Sequence, residues 1–183
     1  MTDDLSPVEP VVSEASSEPG RLLPDDPLLA GLLRPHASAE TLLPRPGPGQ
    51  DVVVVAREEL AEFAATARDA GFTTFIDLCA VDYLNRDPRY DVVVVLLSTA
   101  LRRRLVIRAG VPGDDPVVPS ITPVFPGANF YEREAWDLLG VQFVGHPDLT
   151  RILLPDEWVG HPLRKDEGVG SVPVQFRDSH KAT

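Results

Sequence analysis

The chain has 183 residues, 43% of them hydrophobic and 25% charged, with a formal charge of −11. This is the size and composition of one ordinary globular domain, which excludes wholesale disorder. Its longest aliphatic run, Val92 to Leu97, falls far short of the roughly 20 apolar residues a spanning helix needs, and the acidic balance argues against binding a phosphate backbone.

Residues 1–26 hold seven acids and one base, and the opening MTDDLSPVEP lacks the basic and apolar regions of a secretory signal. They are expected to form a disordered acidic tail on a chain that stays on the cytosolic side. Residues 27–50 read as a short helix and a Pro/Gly-rich linker. Asp26 is placed to cap the helix, Pro27 suits its first position, and Leu28, Leu29, Leu32 and Leu33 share one face, while PRPGPGQ at 44–50 is dense in turn formers.

An α+β domain is expected over 51–143. The β-branched run 52–56 predicts a strand, and Leu60, Phe63, Ala64 and Ala67 form one stripe of a helix over 58–70 that Gly71 stops. FIDLCAVDYL at 75–84 is apolar on both faces, as in a central strand over 75–83, with Cys79 a packed small hydrophobe. The turn formers NRDPR join it to YDVVVVLL at 90–97 as a hairpin. A third strand over 103–109 alternates Arg104, Val106 and Arg108 against Leu105, Ile107 and Ala109, and Arg102, Arg103 and Arg104 read as a solvated edge or an interface rim. After a proline-rich passage comes a helix over 129–139, with Asn129 as its cap, Glu132 in the capping-box position and Gly140 at its end. The expected architecture is one mixed or antiparallel sheet with helices packed on it, followed by an extended C-terminal strap over 144–183. Pro147, Pro155 and Pro162 forbid a long helix there. Its Leu, Ile and Trp side chains need cover, from this domain or from a partner.

Candidate chemistry is sparse. One cysteine cannot supply the thiolates of a cluster or a structural zinc site, and no Walker loop, GxGxxG or GxSxG occurs. Glu132, Arg133, Glu134 and Asp137 are dense in charge, but Arg133 and Asp137 stand i,i+4 and are expected to pair. His146 and His161 each sit in a Gly-His-Pro triplet, where the proline keeps the backbone extended and the imidazole is expected to bond a neighbouring carbonyl. The alternative is a metal-dependent hydrolase built from Glu132, Glu134, His146 and His161 with Asp148 or Asp166, at a spacing that matches no zinc signature.

The string EREAWDLLGVQFVGHPDLTRILLPDEWVGHPLRKD at 132–166 resembles the signature segment of the C subunit of NADH-quinone oxidoreductase, respiratory complex I. The likeness is carried by Glu132, Arg133, Glu134, Asp137, Gly140, Phe143, His146, Pro147, Arg151, Leu153, Leu154, Trp158, His161, Pro162, Arg164, Lys165 and Asp166. DLCAVDYL at 77–84 and PSITPVFPGANFYERE at 119–134 extend it, and Leu139, Thr150 and Glu167 depart from the usual pattern. The resemblance implies a non-catalytic member of the peripheral arm, bound chiefly to the D subunit and near the B and I subunits, on the cytoplasmic face of the membrane and touching it only through the complex. It implies no cofactor on this chain. FMN and iron–sulfur clusters in other subunits would carry electrons from NADH to quinone in a proton-translocating assembly. A related membrane-bound hydrogenase, or a dehydrogenase fed by ferredoxin or F420, is the nearer alternative. In either setting residues 144–166 are expected to run over a neighbouring subunit. Leu153, Leu154 and Trp158 would be buried anchors there, and Arg151, Arg164 and Lys165 would pair with the partner's acids.

Overall fold

A computed structural model describes residues 26–42 and 50–167. Of the tail expected over 1–26 only Asp26 is described, and it is the cap of the first helix; most of the expected linker and the strap beyond 167 lie outside the described residues.

Helix α1 (Pro27–Leu33) forms as its sequence predicts. The Asp26 carboxylate accepts from the amides of Leu28 at 3.0 Å and Leu29 at 3.4 Å. Leu29, Leu32 and Leu33 are buried in the main core. The segment after it also belongs to the fold: His36 bonds the Thr66 hydroxyl at 3.0 Å, and β1 (Glu40–Thr41) pairs antiparallel with β2 (Gln50–Ala56). A two-residue strand carries no readable period, which is why 27–50 reads as helix and linker alone.

Strands β2, β3 (Thr74–Asp82), β4 (Tyr90–Ser98) and β5 (Arg103–Val111) join β1 in a five-stranded mixed sheet of order β1-β2-β5-β4-β3. β3–β4 and β4–β5 are antiparallel meander pairs, and β5 returns parallel to β2. The register aligns Val53, Ile107, Val94 and Leu78 in one buried row. Helix α2 (Leu60–Asp69) shares this core through Leu60, Phe63, Ala64 and Ala67, and Gly71 closes it at φ +105. The alternate residues on the other face, such as Val52, Val95 and Val106, stay half-buried.

Two expectations are corrected here. β3 is an edge strand, not a central one: Ile76 is 41% exposed and Cys79 is exposed, not packed. Apolar content on both faces says that something covers a strand, but not whether hydrogen-bonded neighbours flank it on both sides. Nor is the arginine run uniformly solvated. Arg103 turns inward and bonds Asp51 at 2.5 Å and Asp26 at 2.6 Å, tying the start of β5 to β2 and to the cap of α1. Arg102 and Arg104 remain exposed.

Helix α3 (Asn129–Leu139) packs on β3 and is bracketed by β6 (Val117–Pro119) and β7 (Gln142–Val144), which pair in parallel. Asn129 is not its cap. It already has helical dihedrals, Ala128 takes the N-cap position without a side-chain bond, and a turn of 3-10 helix over Pro126–Ala128 leads in. The expected capping box is absent because Glu132 points elsewhere. Buried, its carboxylate accepts from Ser120 Oγ at 2.6 Å and from the amide of Ile121 at 2.7 Å, clamping the passage before the helix.

Candidate functional site

The C-terminal end of α3 is where Asp137, Arg151, His161 and Arg164 converge. A helix ends with four carbonyls that lack intrahelical partners, and here the strap supplies three of the four donors. The Trp136 carbonyl receives the Gly140 amide at 2.8 Å, Asp137 receives His161 Nδ1 at 2.9 Å, Leu138 receives the Leu163 amide at 3.0 Å, and Leu139 receives Arg164 Nε at 2.7 Å. The positive guanidinium of Arg164 also suits the negative end of the helix dipole. Gly140 makes this approach possible. It stands at φ +76, and a Cβ there would run into Arg164 Nη2 and lie 2.7 Å from the His161 ring.

One turn earlier, Asp137 is the hub of the strap. Its side chain is fully buried, and Oδ2 accepts from the successive amides of Ile152, Leu153 and Leu154 at 3.0, 2.8 and 3.0 Å. Oδ1 accepts from Arg151 Nη1 at 2.5 Å. Burial alone would raise this carboxyl; the three amides and the guanidinium outweigh it and bring it down to about 2. Arg151 continues outward to the Trp158 carbonyl at 2.8 Å and lies over the Trp136 ring. Arg133 holds the preceding turn through the carbonyls of Thr150 and Arg151, both at 3.0 Å.

A second clamp holds the far end. Asp82, at the end of β3, is buried and accepts two bonds from Arg89, at 2.9 and 2.7 Å, and one from the Lys165 amide at 2.9 Å. Arg89 in turn grips Asp166 with bonds of 2.9 and 2.7 Å. The Arg89 bonds, chief among the causes, hold Asp82 far below the usual carboxylate range against its burial, and they lower Asp166 as well. Sequence reasoning does not single out Asp82 and Arg89. An aspartate in an otherwise apolar strand is the available signal, since a buried acid requires partners.

Two sequence expectations therefore change. Arg133 does not pair with Asp137; a buried carboxylate with four incoming donors leaves no room for the weaker pair along the helix surface. Arg151 and Arg164 are committed within the chain, not presented to a partner's acids, and Lys165 contributes its backbone amide here. His146 and His161 do bond carbonyls: His146 Nε2 meets the Asn129 carbonyl at 3.2 Å while its Nδ1 accepts from the Asp148 amide at 3.0 Å. Glu132, Glu134, His146 and His161 do not converge, and among the described residues no group of three or more His, Cys, Asp and Glu is arranged to hold a metal. Pro147, Pro155 and Pro162 exclude a long helix, but the strap is not the extended segment expected: it runs through successive turns, with the Trp158 amide on the Pro155 carbonyl at 3.0 Å and the Arg164 amide on the His161 carbonyl at 3.1 Å.

What the clamped strap turns outward is apolar. Leu153 is 59% exposed, Leu163 57% and Val159 93%, with Ile152 at 38%. Leu154 and Trp158 are half-buried. Leu163 also lines a shallow cavity of about 80 Å³ with Cys79, Tyr131, Glu134 and Leu138, between α3 and the edge strand β3. No helix among the described residues is long and apolar enough to cross a membrane.

Comparison with known proteins covers the sheet domain and the strap together. Residues 53–171 match the family described as the 30 kDa subunit of the respiratory-chain NADH dehydrogenase. The chain is 45% identical over 131 residues to the NADH-quinone oxidoreductase C subunit of Herpetosiphon aurantiacus, covering 70% of this chain and 77% of that one. It is 47% identical over 118 residues to the protein of the same name from Roseiflexus castenholzii, covering 64% and 68%. Among solved structures, a trypsin-resistant fragment of Nqo5 superposes with a TM-score of 0.55 at 36% identity, covering 60% of this chain and 89% of the fragment. A chain of an archaeal membrane-bound sulfane sulfur reductase shares the fold at a TM-score of 0.62 and 19% identity, covering 83% of this chain and 94% of that one. Matched over residues 53–171 and 45% identical to a C subunit across 70% of its length, this chain belongs to the family of the 30 kDa subunit of the respiratory-chain NADH dehydrogenase.

Proposed function

We propose that this chain is the C subunit of an NADH-quinone oxidoreductase and serves the peripheral arm as a non-catalytic brace. The family assignment supports the complex. The observation that carries the role is the strap, held by Asp137 and Asp82 so that Ile152, Leu153, Val159 and Leu163 stand out to solvent. Ordering such a segment costs about 1–2 kcal/mol per residue of backbone entropy, and a chain that orders one only to expose leucines gains little unless a neighbour covers them. We assign that neighbour to the D subunit, with the B and I subunits nearby. FMN, iron–sulfur clusters and the quinone site belong to other subunits, and this chain binds none of them. It touches the membrane only through the assembly, at the cytoplasmic face.

The test is assembly. In cells lacking the native copy, a variant carrying Leu153→Asp and Leu163→Asp should fold but fail to recruit the D subunit, with loss of NADH-driven quinone reduction. The purified wild-type chain should oxidise no NADH and show no visible-range absorbance. Stoichiometric iron or flavin on the isolated chain, or a fully active complex containing the double variant, would overturn the proposal. The genes beside this one distinguish the hydrogenase and F420 alternatives, because only an NADH-linked complex requires an NADH-binding flavoprotein.

A further inference from the structure

We infer that the surface receiving the strap is an apolar groove edged with Lys and Arg side chains of the neighbouring subunit. The inference rests on the reading of the strap as a docking element, and it reverses the charge pattern that the sequence suggests for that contact.

Few positive charges remain available on this face. Arg151 is committed to Asp137 and the Trp158 carbonyl, Arg164 to the Leu139 carbonyl, Arg133 to the 150–151 turn, and Arg89 to Asp82 and Asp166. Among the described residues from 144 onward, Lys165 is the one Lys or Arg whose side chain makes no hydrogen bond or ion pair. Against it stand Asp148, Asp156, Glu157 and Glu167 on the strap and Glu134 beside Leu163, all exposed and none in an ion pair. These acids interleave with the exposed apolar residues: Asp156 and Glu157 fall between Leu153 and Val159, and Glu167 follows Leu163. The strap therefore exposes apolar side chains interspersed along the chain with unneutralised carboxylates.

Such a strap selects its partner. Pressed against a neutral or acidic surface, these carboxylates would lose water without compensation, whereas a rim of Lys and Arg returns that cost and accelerates encounter. The same carboxylates repel an anionic lipid surface, so the apolar side chains are directed to protein, not to the bilayer.

The experiment measures binding of the full chain to peripheral-arm subcomplex prepared without it, as a function of ionic strength. Asp156 and Glu157 make no side-chain bond within the chain, so Asp156→Lys with Glu157→Lys tests the rim without disturbing the clamps. The double reversal should weaken binding about tenfold or more at low salt and remove most of the salt dependence. Leu153→Ala should weaken binding while leaving the salt dependence of the wild type in place. If the reversal binds as well as wild type while Leu153→Ala does not, the basic rim is refuted and the docking role stands. If neither change alters the dissociation constant, the docking role falls with it. Cosedimentation of the wild-type chain alone with phosphatidylserine vesicles would also overturn the inference.

Discussion

Replacing Asp137 with Asn removes one negative charge from the centre of the strap while keeping the side chain's shape. The carboxylate's fall from its ordinary 3.8 to about 2 measures how much better the folded chain stabilises the charged form, and at 1.36 kcal/mol per pKa unit this amounts to about 2 kcal/mol at neutral pH. An amide also turns a donor toward Arg151 or toward the row of amides over 152–154, so the loss should not be smaller. About 2 kcal/mol is close to a 30-fold change in an equilibrium constant. The effect is local, because the sheet core does not depend on this contact. Hydrogen exchange is the suitable assay: the amides of Ile152, Leu153 and Leu154 should lose about 30-fold of their protection in Asp137→Asn, with strands β4 and β5 unchanged. The pH dependence has a definite sign. A carboxyl lowered by folding contributes its full stabilisation above about 3.8, and the contribution disappears as pH falls through about 2. Wild-type protection of these amides, corrected for intrinsic exchange, should therefore be level above about pH 4 and collapse below it, while the Asn variant shows no such step. Equal protection in the two proteins at neutral pH would refute the assignment of Asp137 as the strap's anchor.

Gly140→Ala should destabilise the end of α3 by about 1–2 kcal/mol, from the left-handed backbone and from collision with Arg164 and His161; a lowered melting temperature with an intact sheet spectrum checks it. Glu132 behaves oppositely to Asp137, because burial dominates and raises its carboxyl despite the bonds from Ser120 and Ile121. Its charged form weakens the fold as pH climbs above about 4.5, so Glu132→Gln should be neutral or stabilising at neutral pH and flatten the decline, as read from urea midpoints across about pH 4–8. Trp158→Ala should cost on the order of 2 kcal/mol in association with the peripheral arm and leave the melting temperature of the isolated chain unchanged; a lowered melting temperature with unchanged binding would place the indole in this chain's own core.

The local elements were legible because local periodicity and punctuation specify them. The alternation in β5, the stripe of α2, the turn between β3 and β4, the Asp26-Pro27 start of α1 and the stop at Gly140 each depend on residues within a few positions of one another. The prolines of the strap excluded a long helix, but they did not announce the succession of turns that it forms. Tertiary structure alone decided which groups meet across long separations. β3 became an edge because β5 returned to pair with β2, a choice between sheet orders that the composition of β3 does not express. Glu132 gave up the capping role its spacing suggested because Ser120 and Ile121 were brought to it. Arg133 and Asp137 stand four residues apart, and a pair of that kind on a helix surface contributes only about 0.3–0.5 kcal/mol. Once folding buries Asp137, a carboxylate needs several strong donors, and three amides with Arg151 satisfy it far better than one solvated arginine. Sequence proximity ranks partners by distance along the chain, whereas burial ranks them by how completely they replace water, and at the end of α3 the second ranking prevails.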